Sequence, residues 1–356
     1  MKSSHKYIIF SLLLANLLIQ LFYWGYFRQE IHHIYTVERI EGFWASIIKI
    51  FYPRFFVEKH RFDLNFFLQK TEQILWRLAL VSVSIAIILV FAKEKINYFF
   101  FNSKLIERKK IVFLQIVLTC GWVYESFTWY KSLMRLSQVK DLYEPYLLLR
   151  FIPFPEAEAL FFWFAIFYLF LLLSFVPRIA PIFWSLSVVL IIILLGFLYG
   201  FSKIDHTYAT WLYVSMLLPF LLRNETQVDA WALGLMQWLV ALVYLQAGLE
   251  KILISGWDWF SPSTLRSHLL LHPTAWGLKI ADEPFLCVLG SIFMIVLQVG
   301  FVSILFFPRL KYFFLPAGAF FHVATYLLMN IGGLISFWYL VYIIYLLGEK
   351  NIPQNE

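Results

Sequence analysis

Runs of about twenty apolar residues recur along this chain, each long enough to cross the hydrocarbon core of a bilayer as a helix. The clearest lie at 7–27, 111–130, 230–250 and 285–307. Further runs at 73–92, 157–176, 180–201, 207–222, 312–329 and 333–347 bring the expectation to about ten spans. A soluble fold could not absorb them. Of the 356 residues 61% are hydrophobic and 14% charged, against roughly 25% charged in a soluble domain. The expected fold is therefore an all-α, polytopic membrane bundle with no sizeable soluble domain, and neither a soluble globule nor a disordered chain fits. The first run follows Lys2 and Lys6 but ends in Tyr, Trp and Phe rather than a small-residue cleavage site, so it reads as a retained anchor.

Between these runs the chain punctuates itself. Pro177 and Pro181 mark a tight turn between two spans. Phe43 to Tyr52, aromatic with a basic fringe, reads as a helix lying in the interface. Lys93, Lys95, Lys104, Arg108, Lys109 and Lys110 form the densest basic cluster, which the positive-inside rule puts in the cytoplasm, together with both termini. The formal charge of +7 reads as basic loops at anionic headgroups, not as a nucleic-acid footprint. The Ile/Lys-rich composition favours a prokaryotic plasma or inner membrane.

Ionisable groups at membrane depth are costly, so each raises a functional question. Three segments stand out. Asp205-His206-Thr207-Tyr208 breaks the apolar pattern between two spans. Tyr244, Ala247, Gly248 and Lys251 fall three to four residues apart at the end of the seventh run and share one helix face. Ala247 and Gly248 open a groove there for another helix or a flat ligand. Lys251 is either a base at the end of that groove or a snorkelling lysine. His206 is either a catalytic helper or a loop residue. Phe321-His322 lies halfway along the ninth run, where His322 serves packing or chemistry, with Asn330-Ile331-Gly332-Gly333 beyond it. No HExxH helix, P-loop or nucleophile elbow is present. His268 and His272 lack an obvious third ligand and the two cysteines lie in apolar runs, so no metal is expected.

In this order the three segments resemble the membrane domain of vitamin K-dependent gamma-glutamyl carboxylase and its HTTM (horizontally transferred transmembrane) relatives. Asp205-His206-Thr207-Tyr208 is similar to an Asn-His-Ser-Tyr segment. Ala247-Gly248-Leu249-Glu250-Lys251, followed by Gly256-Trp257-Asp258-Trp259, is similar to Ala-Gly-Val-Lys-Lys and the Trp-containing stretch after it. Phe321-His322 and Ile331-Gly332 resemble the family's later Phe-His helix and Ile-Gly segment. The resemblance covers residues 145–348 and leaves 1–140, about three spans plus the interfacial helix, as a separate N-terminal region. This sequence has Glu250 where the family has its first lysine, and Gln298 where many relatives carry Glu.

The resemblance implies a membrane enzyme with Lys251 as the base that deprotonates a naphthoquinol and His206 as its helper. His322, Tyr244, Gly248, Asp205 and Tyr208 would line the pocket. It implies reduced vitamin K-type naphthoquinone as cofactor, with O2 and CO2 as co-substrates. Oxygenation of the quinol would drive carboxylation of glutamate in a peptide or protein substrate, a carbon–carbon lyase and quinol epoxidase reaction. The alternative is a non-catalytic membrane protein of the same class, a lipid- or quinone-binding accessory subunit or a maturation partner for a secreted peptide.

Overall fold

The structure is a computed structural model describing residues 3–36, 42–51, 59–60, 63–91, 106–145, 147–201, 207–223, 230–332 and 337–347. The regular structure among the described residues is all helical, with no strand. The helices are α1 (Ser3–Phe22), α2 (Arg28–Thr36), α3 (Phe43–Phe51), α4 (Leu64–Phe91), α5 (Arg108–Leu136), α6 (Ala157–Leu173) and α7 (Ala180–Tyr199). They continue with α8 (Ala209–Leu222), α9 (Ala230–Ser255), α10 (Pro262–Leu271), α11 (Ala275–Ala281), α12 (Pro284–Gly300), α13 (Lys311–Met329) and α14 (Phe337–Leu340). A π-helical turn, Tyr23–Phe27, joins α1 to α2, while 3-10 turns extend α5, α9, α12 and α14.

Among the described residues six stretches are long and apolar enough to cross a membrane: Ile9–Thr36, Arg108–Leu142, Ala180–Tyr199, Trp231–Phe260, Pro284–Leu305 and Pro308–Met329. Ala157–Leu173 and Ala209–Leu222 are apolar but shorter. All but the last residue of the run at 73–92 falls within the longer α4, and Phe43–Phe51 of the stretch expected at the interface forms α3, while Tyr52 and Ala92 lie outside the described residues. The run at 333–347 takes a different form. Its described part is the four-residue α14 followed by a 3-10 turn, Val341–Tyr345. The sequence also gave no notice of α10 and α11, whose mixed polar and apolar residues lack a long periodic pattern.

The chain divides into two compact units, one of residues 1–99, 131–161 and 192–203, the other of 100–130, 162–191 and 204–356. In the first unit α1 packs against α4, and polar side chains pair along that seam. Asn16 Nδ2 donates to Ser82 Oγ at 3.2 Å, Gln20 Nε2 to the Leu75 carbonyl at 3.0 Å, and Tyr23 to Glu72 at 3.4 Å. Hydrocarbon offers these groups no partner, so each finds one on the facing helix. Elsewhere in this unit Tyr143 packs among Phe154, Phe197 and Phe201. Burial pushes its phenol up to about 12.

The same logic organises the second unit. Gln115 is buried on α5 and donates to the Ser174 carbonyl at 2.7 Å and to its hydroxyl at 3.0 Å, satisfying a carbonyl just past the end of α6. Trp122 donates to Ser215 Oγ at 2.9 Å and Trp184 to the Ser215 carbonyl at 2.8 Å, which joins α5 and α7 to α8. α13 stops at Asn330, whose φ of 52° is in the left-handed region. That is the C-terminal cap for which Asn and Gly are suited. Facing outward are large apolar side chains, with Leu172 and Phe285 each 70% exposed, a surface matched to hydrocarbon and costly in water.

Gln115→Leu is expected to destabilise the protein by about 1–3 kcal/mol, because it strands the buried Ser174 groups without a donor. Unfolding in mixed detergent micelles measures it.

Candidate functional site

α9 carries Tyr244, Gly248 and Lys251 at intervals of four and three residues, one above another on a single face. α12 lies against that face. A Cβ on Gly248 would come within 2.8 Å of Val299 Cγ2 and 3.1 Å of the Val299 backbone nitrogen. At this level, then, the groove expected at Gly248 is filled by a helix. Beyond Gly300, α12 tightens into the 3-10 turn Phe301–Leu305, which lays the Phe301 ring flat on Tyr244 at 4.5 Å and 20°.

The Tyr244 phenol is 3% exposed and sits at the centre of a polar chain. Its oxygen lies 2.5 Å from His322 Nε2 on α13 and 2.6 Å from the Tyr342 hydroxyl. Gly318 on α13 makes room for this, since a Cβ there would collide with the Tyr342 hydroxyl. The His322 ring stacks on Trp338 at 5.8 Å and 17°. A phenol has one proton to give and lone pairs to accept with, so the chain can be ordered in either direction. In one, Tyr342 donates to Tyr244 and Tyr244 to the imidazole; in the other, the imidazole N–H donates to Tyr244 and Tyr244 to Tyr342. Two such orderings of one chain let it pass a proton along its length. His322 at membrane depth therefore has the partner its position demands.

Lys251 lies seven residues further along α9, roughly 10 Å by helical rise. It is half-buried. Its amine donates to the Ala247 carbonyl at 3.1 Å and sits 5.4 Å from the centre of the Trp259 ring, in the turn that extends α9. Among the described residues it forms no ion pair, and a protonated lysine has three N–H donors. Two are left for solvent or a ligand. On α9's extending turn and on α12, which packs against α9, three buried polar atoms have no hydrogen-bond partner among the described residues: Trp259 Nε1, Ser291 Oγ and Gln298 Oε1. Gln298 is the residue whose Cβ lies 3.0 Å from the position a Gly248 Cβ would take. Ser291 and Gln298, seven residues apart, share a face of α12. A buried acceptor left unsatisfied costs about 1–3 kcal/mol.

No family model, characterised protein or solved structure matches the chain. The chemistry of the site therefore has to be argued from its own residues.

Of the residues singled out in the sequence, Tyr244 and His322 are in direct contact and Gly248 and Lys251 share Tyr244's helix face. Tyr208 belongs to another cluster. Its hydroxyl donates to Glu125 Oε2 at 2.7 Å and accepts from Trp129 Nε1 at 3.2 Å. Asp205 and His206 lie outside the described residues. Sequence reading missed Tyr342, Trp338 and Phe301, which are ordinary aromatics in aromatic-rich runs. It also missed Glu125, and there a signal existed: a carboxylate inside the 111–130 run is the kind of residue that needs a reason. Among the described residues no three His, Cys, Asp or Glu side chains converge as a metal site would require.

A double-mutant cycle on Tyr244→Phe and His322→Leu is expected to give a coupling of roughly 0.6–1.7 kcal/mol, the range for hydrogen bonds between membrane helices. Additive effects in unfolding measurements would mean that the contact contributes nothing.

Proposed function

We propose that this chain is a multi-pass membrane enzyme acting on a naphthoquinol at the α9–α12 face, with Lys251 as general base. The observation that carries this reading is the setting of Lys251. As the neutral base its amine gives one N–H to the Ala247 carbonyl and keeps a second N–H and its lone pair, while Gln298, against Gly248 one turn back on the same helix, holds an unpaired buried acceptor. These residues fit a quinol. Gln298 Oε1 can accept a hydroxyl proton, the Trp259 indole can donate to an oxygen, and flanking aromatic rings offer apolar faces. When bound, a reduced vitamin K-type naphthoquinone supplies, with O2, the strong base that lets CO2 add to a peptide glutamate. The protein's part is to hold the ring, exclude water and take the first proton. Lys251 does that only as the neutral amine, whose lone pair takes the proton, and the adjoining Glu250 carboxylate acts electrostatically on the ammonium that results. His206 would assist from the segment preceding α8.

The same reading takes about ten spans, both termini in the cytoplasm, a prokaryotic plasma membrane, and a peptide or protein whose glutamate accepts the CO2. A second reading has a specific observation in its favour. Gly248 is closed off by α12, and the Tyr244–His322–Tyr342 chain is complete in itself. On that basis the seam would bind a quinone or lipid without turning it over, as an accessory subunit or a maturation partner for a secreted peptide would.

The test is quinone-epoxide formation by purified protein in lipid nanodiscs given phylloquinol or menaquinol, O2, bicarbonate and a glutamate peptide. Wild type is expected to form epoxide and to add CO2 to the peptide. Lys251→Ala, with helical content and melting unchanged, is expected to lose about 10²–10⁴-fold in rate. Folded wild-type protein that makes no epoxide from either quinol would support the non-catalytic reading.

A further inference from the structure

A cavity of about 450 Å³ lies at the start of α5, lined by Lys109, Lys110, Phe113, Ile343, Leu346 and Leu347. Its lining shares no residue with the site argued for the quinol, and its chemistry is different. Lys109 and Lys110 precede Phe113 by four and three residues, so all three face the same way on the helix. The facing wall is the end of the described chain, where Ile343, Leu346 and Leu347 repeat the same spacing. One end of the cavity is therefore cationic, and the other, one helical turn (about 5 Å) deeper, is apolar. Phe113 and Leu346 are 54% and 57% exposed, although nothing in their chemistry favours water.

We propose that this cavity is a binding site for an anionic phospholipid, with the phosphate held by Lys109 and Lys110 and the upper part of an acyl chain on Phe113, Ile343, Leu346 and Leu347. Three observations narrow the ligand to this class. Arg108–Leu142 is one of the stretches able to cross a membrane, so residues 108–110 stand at the end of a span, where headgroups lie. The order of charge and apolar surface along the helix is the order of phosphate and hydrocarbon in a phospholipid. The apolar wall also has no use for a small soluble anion.

The neighbouring charges are compatible with this. Arg108 is occupied in the architecture, donating to the Leu222 carbonyl at the end of α8 at 3.2 Å, and is not a headgroup ligand. Glu107 pairs with Lys109 at 2.8 Å, and Lys109 is exposed enough to exchange that carboxylate for a phosphate. Basic pockets between membrane helices are a recognised setting for anionic headgroups, and the positive-inside orientation would place this one in the leaflet where such lipids are enriched.

Native mass spectrometry of the purified full chain tests the proposal, with dioleoyl-phosphatidylglycerol and dioleoyl-phosphatidylcholine offered in equal amounts. Wild type is expected to retain the phosphatidylglycerol in preference. Lys109→Gln with Lys110→Gln should lower that retention roughly 30-fold, from two lysines each interacting with one headgroup. Phe113→Ala, at an exposed position, should weaken retention of both lipids. Glycerol 3-phosphate at millimolar concentration should not displace the lipid. Equal retention of the two lipids by wild type, which requires no variant to fold, would overturn the proposal. So would full retention by the double variant, or displacement by glycerol 3-phosphate, which would mark a site for a free phosphate.

Discussion

A polar group at membrane depth must find its partner inside the protein, because hydrocarbon supplies none. Much of the described architecture follows from that constraint. The α1–α4 seam is joined by Asn16 with Ser82, Gln20 with the Leu75 carbonyl, and Tyr23 with Glu72. α5 reaches the end of α6 through Gln115 and α8 through Trp122, the first buried donor meeting Ser174 just past α6 and the second Ser215 on α8. Bonds of this kind contribute modestly one by one. Leaving one unmade is the larger effect, and it makes these pairings specific about which helices lie together.

The candidate site depends on the same constraint and on small residues. Gly248 lets α12 come up to the α9 backbone, and Gly318 admits the Tyr342 hydroxyl. Those two approaches bring α9, α13 and the turn after α14 close enough for one phenol, Tyr244, to serve both His322 and Tyr342. Lys251 lies on the same face but two turns away, where the pairing logic gives out. Trp259 beside it, and Gln298 and Ser291 on α12, have buried polar atoms without hydrogen-bond partners among the described residues. A bound molecule with one donor and one acceptor would complete that corner as a facing helix completes the others.

How far the sequence foretold this depended on the range of each interaction. Apolar run length is local, and the runs at 111–130, 180–201, 230–250, 285–307 and 312–329 coincide, to within two residues at an end, with stretches able to cross a membrane. Helical phase is also local, so Tyr244, Gly248 and Lys251 were assigned to one face correctly. Partner choice is not local. Tyr244 meets residues 78 and 98 positions away, and no spacing rule connects Tyr342 to it in a chain with 20 Tyr. The α10–α11 pair escaped notice because short helices packed on α12 and α13 carry no long periodic signature. Glu125 is a different case, since the rule that singled out His322 applies to it equally.

The claim at the centre of this account is that a quinone sits on the α9–α12 face beside Lys251, whether or not it reacts there. Photo-crosslinking with an azido-naphthoquinone in nanodiscs, followed by peptide mapping, tests it directly. The account predicts labelling concentrated in residues 247–260 and 291–299 and suppressed by excess menaquinone. Label spread over the outward apolar faces of α1, α6 and α7, and unaffected by menaquinone, would contradict it.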